Sequence, residues 1–241
     1  MREQSPEGAD VETSTEGYAR RFAGPVGAFF LARQAETTLA LLRPWPGASV
    51  LEVGGGHAQL VGPLVAAGHR VTVYGSDPVC GARLEPWMSA GQATFRAGDL
   101  LRAPWPDRSF DVVLAFRLLP HVTRWPELIA EMGRLARHAV IVDYPTRRSV
   151  NAVSGAFFSL KRGVEGNTRP FRVFRDEELG RAFSAAGYVS TARRPQFFLP
   201  MALHRALGSA ALARTLEGGA RLLGLTAALG SPVILRLEPR G

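Results

Sequence analysis

Three consecutive glycines, Gly54, Gly55 and Gly56, close the short apolar run Ala48-Ser-Val-Leu-Glu-Val53. Such a run reads as a buried strand entering a tight turn, and Leu60, Leu64 and Val65 then mark a helix. A strand, glycine turn and helix together aim backbone N–H groups at a ligand beside the helix N-terminus. Spacing narrows the choice of ligand. A phosphate-binding loop needs a Lys after its last glycine, and none follows here. A dinucleotide-binding turn needs a third glycine where Gln59 stands.

The rest of the chain repeats the alternation. Strand-like runs recur at Arg70 to Tyr74, Ala93 to Phe95, Phe110 to Phe116, His138 to Val142, Tyr188 to Phe198 and Pro232 to Leu237. Helical spacing marks Tyr18 to Phe30, Ala32 to Leu42, a segment opened by Pro126, and a segment after Asp176 with Asp176 as its cap. The stretch Met201 to Leu229 is apolar and helical in character. Strands alternating with helices predict an α/β fold with a doubly wound, mostly parallel, seven-stranded sheet. The expected organisation is a disordered acidic tail over 1–16 and a single domain over 17–241. Within that domain we expect a helical cap at 17–46, a cofactor-binding core at 47–145, a basic lid inserted at 146–175, and C-terminal helices and strands at 176–241.

Composition removes several classes. Hydrophobic residues make up 46% of 241 residues, enough for a sizeable core and too many for a mainly disordered chain. No apolar run is long enough to span a bilayer. Cys80 is the only cysteine, which excludes an intrachain disulfide and a cysteine zinc cluster, so no metal site is expected and a reducing, cytoplasmic location is. The net charge is +8, and Lys161 is the only lysine among 29 basic residues. That arginine bias reflects either codon usage or sites that want planar, forked donors.

The segment Glu52-Val-Gly-Gly-Gly-His-Ala58 resembles motif I of the class I S-adenosylmethionine-dependent methyltransferases, with Ala58 where that family usually has glycine. Three further segments resemble the family in the expected order: Gly98-Asp99-Leu100, Ala103-Pro-Trp-Pro-Asp-Arg-Ser-Phe-Asp-Val-Val-Leu114, and Phe116-Arg-Leu-Leu-Pro-His-Val122. The resemblance implies a Rossmann-like methyltransferase fold and S-adenosyl-L-methionine as cofactor. It implies cofactor contacts from Glu52, Gly54, Gly55, Gly56, His57, Asp99, Leu100, Phe116 and Arg117, with Asp99 reading adenine and His57 lining the methionine end. One position departs from the pattern. The acid that grips the ribose at the end of the second strand is replaced by Gly75, so either Asp77 reaches the ribose or Ser76 and backbone groups substitute.

In open α/β sheets, ligands bind beyond the C-terminal strand ends. His121, Asp143 and Tyr144 should project there, and are the candidate catalytic residues. His121 is either a general base or a structural histidine, and Asp143 either a base or a turn-former before Pro145. The segment 147–175 holds seven basic residues and one acid, interleaved with phenylalanines. Arg147, Arg148, Arg169 and Arg172 are its candidate substrate-binding residues for a carboxylate or phosphate; a solvated face is the alternative. The expected activity is methyl transfer to a small molecule, anionic or hydrophobic, at oxygen. The alternatives are an RNA methyltransferase using 147–175, with nucleic acid the less favoured partner, and a silent cofactor-binding module on a membrane surface. The apolar stretch from Phe197 to Leu229 serves as core, dimer face or peripheral membrane contact, and the protein is either a monomer or a homodimer.

Overall fold

The computed structural model describes residues 8–149 and 171–241. Seven strands form one sheet: β1 Ser49–Val53, β2 Arg70–Gly75, β3 Ala93–Ala97, β4 Phe110–Ala115, β5 Ala136–Tyr144, β6 Tyr188–Phe197 and β7 Ser231–Pro239. Their order is β3-β2-β1-β4-β5-β7-β6. Strands β1 to β5 run parallel, while β7 lies antiparallel between β5 and β6. The sheet is therefore the mostly parallel, seven-stranded one that the alternation predicts. Its order reverses between β1 and β4, which opens a crevice at their C-terminal ends.

Ten α-helices flank the sheet among the described residues: α1 Ala9–Thr13, α2 Glu16–Ala19, α3 Gly24–Leu42, α4 Val61–Ala66, α5 Glu85–Ser89, α6 Trp125–Leu135, α7 Asp176–Ala185, α8 Met201–Leu207, α9 Ala210–Leu222 and α10 Leu225–Leu229. The central strands are largely apolar because both faces are covered, with Glu52 of β1 and Asp143 of β5 as buried exceptions. On one face Leu128 and Met132 of α6 and Leu179 and Phe183 of α7 pack with Val113, Val140 and Val142. On the other, Leu42 of α3 and Leu64 of α4 pack with Val50, Val112 and Ile141. This double coverage fixes the sheet edge on which the site is built.

Local reading needs correction at three places. Of the expected tail over 1–16, residues 1–7 lie outside the described residues and residues 8–16 are not loose: α1 and α2 form there, and the Asp10 carboxylate is buried against Ser76. The two helical stretches read between Tyr18 and Leu42 instead divide at Arg20–Phe22, a single 3-10 turn, after which one helix runs unbroken from Gly24 to Leu42. Asp176 does not cap α7. It is the first helical residue, and its carboxylate accepts from Tyr144, Thr146 and Arg193 instead.

The C-terminal apolar stretch is divided. Phe197 packs with Val26 and Phe30, and buried His204 meets the Glu217 carboxylate at 2.9 Å. Leu222 and Leu223 are exposed. Among the described residues, no helix is long and apolar enough to cross a membrane. Of the expected lid, 150–170 lies outside the described residues. Its two ends are joined: Arg147 N–H donates to Phe174 O and Phe174 N–H to Pro145 O.

Candidate active site

Strand β1 delivers Glu52 to the base of the glycine turn. Gly54 turns the chain at φ 71°, a left-handed conformation that glycine adopts without a Cβ penalty, and its N–H donates to Tyr74 O of β2. Ala58 ends the turn at φ 59°, where a Cβ costs roughly 1–2 kcal/mol. Inside the turn sits a buried pair. Neither carboxyl oxygen of Glu52 has a hydrogen-bond partner, and Oε1 lies 3.6 Å from His57 Nε2, itself without a partner. Burial pushes Glu52 up to about 8, against the pull of the Arg117 charge. Burial, aided by Arg117, pushes His57 down to about 3. Near neutral pH both groups are uncharged, so this is no salt bridge. His57 Nδ1 accepts from Gln59 N–H, which fixes the ring.

A second buried carboxyl stands at the end of β5. Asp143 lines an apolar cavity of about 220 Å³ with Tyr18, Phe22, Phe30, His121 and Phe171. Arg117 N–H donates to its Oδ1 at 2.5 Å. Burial pushes Asp143 up to about 6, and the Arg117 N–H and charge hold it there. Arg117 is itself constrained. Its backbone sits at φ 57°, its guanidinium lies 4.0 Å from the centre of the Phe22 ring, and it donates to Gln34 and Gln59. Arg117 thus ties the glycine turn, α3 and β5 together.

Sequence comparison points the same way as this geometry. Residues 51–142 match the family described as a methyltransferase domain. These residues are a methyltransferase domain. The solved structures agree in fold. Magnesium protoporphyrin IX methyltransferase from Synechocystis PCC 6803, crystallised with S-adenosylhomocysteine, superposes with a TM-score of 0.66 at 16% identity, covering 96% of this chain and 98% of its own. A SAM-dependent methyltransferase from Thermotoga maritima gives 0.64 at 16% identity, covering 96% and 99%. No curated protein matches the sequence.

S-adenosylmethionine is the cofactor of this methyltransferase, and the residues present fit it. A buried carboxyl with two unpartnered oxygens beside a left-handed glycine turn suits a ligand that brings its own N–H donors and positive charge. Glu52, Gly54, Gly55, Gly56 and His57 are the residues that would hold this end of it. At the other end of the crevice, Asp99 is exposed and its Oδ1 accepts from Leu101 N–H, while Leu100 is buried.

Several expected residues are placed elsewhere. Phe116 is buried in the core on the α3–α4 face. Tyr144 points to the opposite face from Asp143, packs on Phe174 and donates to Asp176; burial and the Asp176 charge raise its hydroxyl further above the ordinary tyrosine value. Asp77 caps the 3-10 segment Pro78–Leu84, its Oδ1 accepting from Val79 N–H at 2.9 Å. Arg147 and Arg172 line a groove of about 450 Å³ with Arg175 and Arg181. Arg148 is exposed and outside it, and Arg169 lies outside the described residues. Sequence reading missed Gln34, Gln59, Phe22 and Phe30. Gln34 carried a signal, a polar side chain within an apolar helix.

Proposed function

We propose that this methyltransferase acts at a hydroxyl oxygen of a small, largely apolar molecule that carries an anionic group, with Asp143 as the general base. The observation that carries this reading is a carboxylate held near 6 inside an apolar cavity at the C-terminal end of β5. A base tuned close to neutral pH combines the right protonation state with useful driving force. When bound, S-adenosylmethionine supplies a methyl group on a sulfonium, which leaves as a neutral thioether. Asp143 takes the acceptor's proton on Oδ2 while Oδ1 stays pinned by the Arg117 N–H. His121 and Phe171 wall the acceptor, and excluding water strengthens every electrostatic contact within. Arg147, Arg172, Arg175 and Arg181 lie next door, because Arg172 N–H donates to Pro120 O at the cavity rim. The Arg172 guanidinium is paired with Glu178, which also lines the groove, so Arg147, Arg175 and Arg181 are the ones that suit a carboxylate or phosphate on the acceptor's far end.

The test is a panel of acceptors assayed for S-adenosylhomocysteine formation: phenols and aliphatic alcohols with and without an acidic group, matched amines, and structured RNA. Acidic hydroxy compounds should be turned over best. Preferred turnover of amines would overturn the oxygen assignment. Salt-sensitive methylation of RNA would transfer the basic groove to a nucleic-acid role.

A further inference from the structure

Gly75 leaves the end of β2 without an acid, and no side chain fits there: a Cβ would stand 2.8 Å from Cys80 Cβ and 3.0 Å from the Phe95 ring. Asp77 is engaged in capping. Another carboxylate reaches the place from elsewhere in the chain. Asp10 of α1 is 1% exposed and accepts from both the N–H and the hydroxyl of Ser76, the residue after Gly75. Residues 9–14 lie along the C-terminal ends of β1 and β2. Ser14 Oγ lies 2.1 Å from where a Cβ of Gly56 would stand, Asp10 holds the end of β2, and Ala9 belongs to the core cluster containing Tyr74 and Leu100. Among the described residues Asp10 makes no ion pair, so its charge is met only by neutral donors. A buried carboxylate in that setting retains capacity to accept from further hydroxyls.

We propose that Asp10 is the ribose-binding carboxylate of this methyltransferase, delivered by helix α1 in place of the strand-end acid missing at Gly75. The inference rests on S-adenosylmethionine being the cofactor. The hydroxyls of a ribose compete with Ser76 for the same oxygens, so Ser76 holds the carboxylate in position until the nucleoside arrives. Helix α1 then becomes part of the cofactor site rather than an appendage.

The experiment is isothermal titration of wild type and Asp10→Asn with S-adenosylhomocysteine and with its 2′,3′-dideoxy analogue. A charged hydrogen bond to the ribose predicts that Asp10→Asn weakens S-adenosylhomocysteine by roughly 10- to 100-fold and the dideoxy analogue by no more than about twofold. Equal weakening of both ligands would make Asp10 merely structural and overturn the proposal. Tighter binding by the variant would make α1 an obstruction and overturn it as well. Should the variant fail to fold, wild type alone decides: equal affinity for the two ligands refutes a ribose contact. Wild type that binds neither ligand would instead refute the cofactor assignment, an outcome distinct from all of these.

Discussion

Glu52 and Asp143 are both buried carboxyls at strand ends, both near Arg117, yet they are held differently. Asp143 accepts a backbone N–H and is raised only to about 6. Glu52 accepts nothing and is raised to about 8. Burial favours the protonated acid at both, and at Asp143 the Arg117 N–H pulls back toward the carboxylate where Glu52 has no such donor. Near neutral pH, one end of the crevice therefore holds a carboxylate ready to take a proton. The other holds a carboxylic acid awaiting a partner.

The contrast is broken most severely at Asp143. Asp143→Asn keeps an oxygen for the Arg117 N–H but cannot accept a proton, and single-turnover methyl transfer should fall by about 100- to 10,000-fold. Wild-type rate should rise as pH passes through about 6, where Asp143 ionises, and the variant should lack that limb. At Glu52 the effect is on stability. Its value in the folded chain is raised from 4.5 to about 8, so between those pH values the folded chain keeps a proton that the unfolded chain has lost. Stability from this group is complete below 4.5 and declines as pH rises through about 8. Glu52→Gln should therefore be more stable than wild type at pH 8.5, by about 2 kcal/mol, with the gap closing toward pH 5 in paired thermal melts. Arg147→Gln tests the groove beside Asp143: KM for an acidic acceptor should rise about tenfold with kcat little changed. The smallest effect is at the turn. Ala58→Gly removes left-handed strain but adds unfolded-state entropy, a net gain of about 0.5 kcal/mol and a Tm rise of about 1–2 °C.

Most of the scaffold was legible because its signals are local. The apolar run into Gly54, the alternation of strands and helices, and the segments around Asp99 and Phe110 each lie within a dozen residues. The mostly parallel, seven-stranded sheet followed from chain alternation and handedness, whereas the antiparallel insertion of β7 between β5 and β6 carries no local signal. The acceptor side was legible only in part. Asp143 and Tyr144 are consecutive in a strand, so side-chain alternation forbids both from facing one cavity, and it is Tyr144 that turns away. Helix α1 was illegible for a different reason. Asp10 and Ser76 are 66 residues apart, and an acidic, glycine-containing segment carries no periodicity that would announce so distant a contact.

Cys80 gains significance from its position beneath α1. It is the only cysteine in the chain, it is fully buried, and burial with the Asp10 charge pushes its thiol up to about 11. A thiol reagent can reach it only during local opening. Its labelling rate is thus a built-in clock for the N-terminal helix, read without adding any probe, and cofactor that closes the crevice should slow that clock.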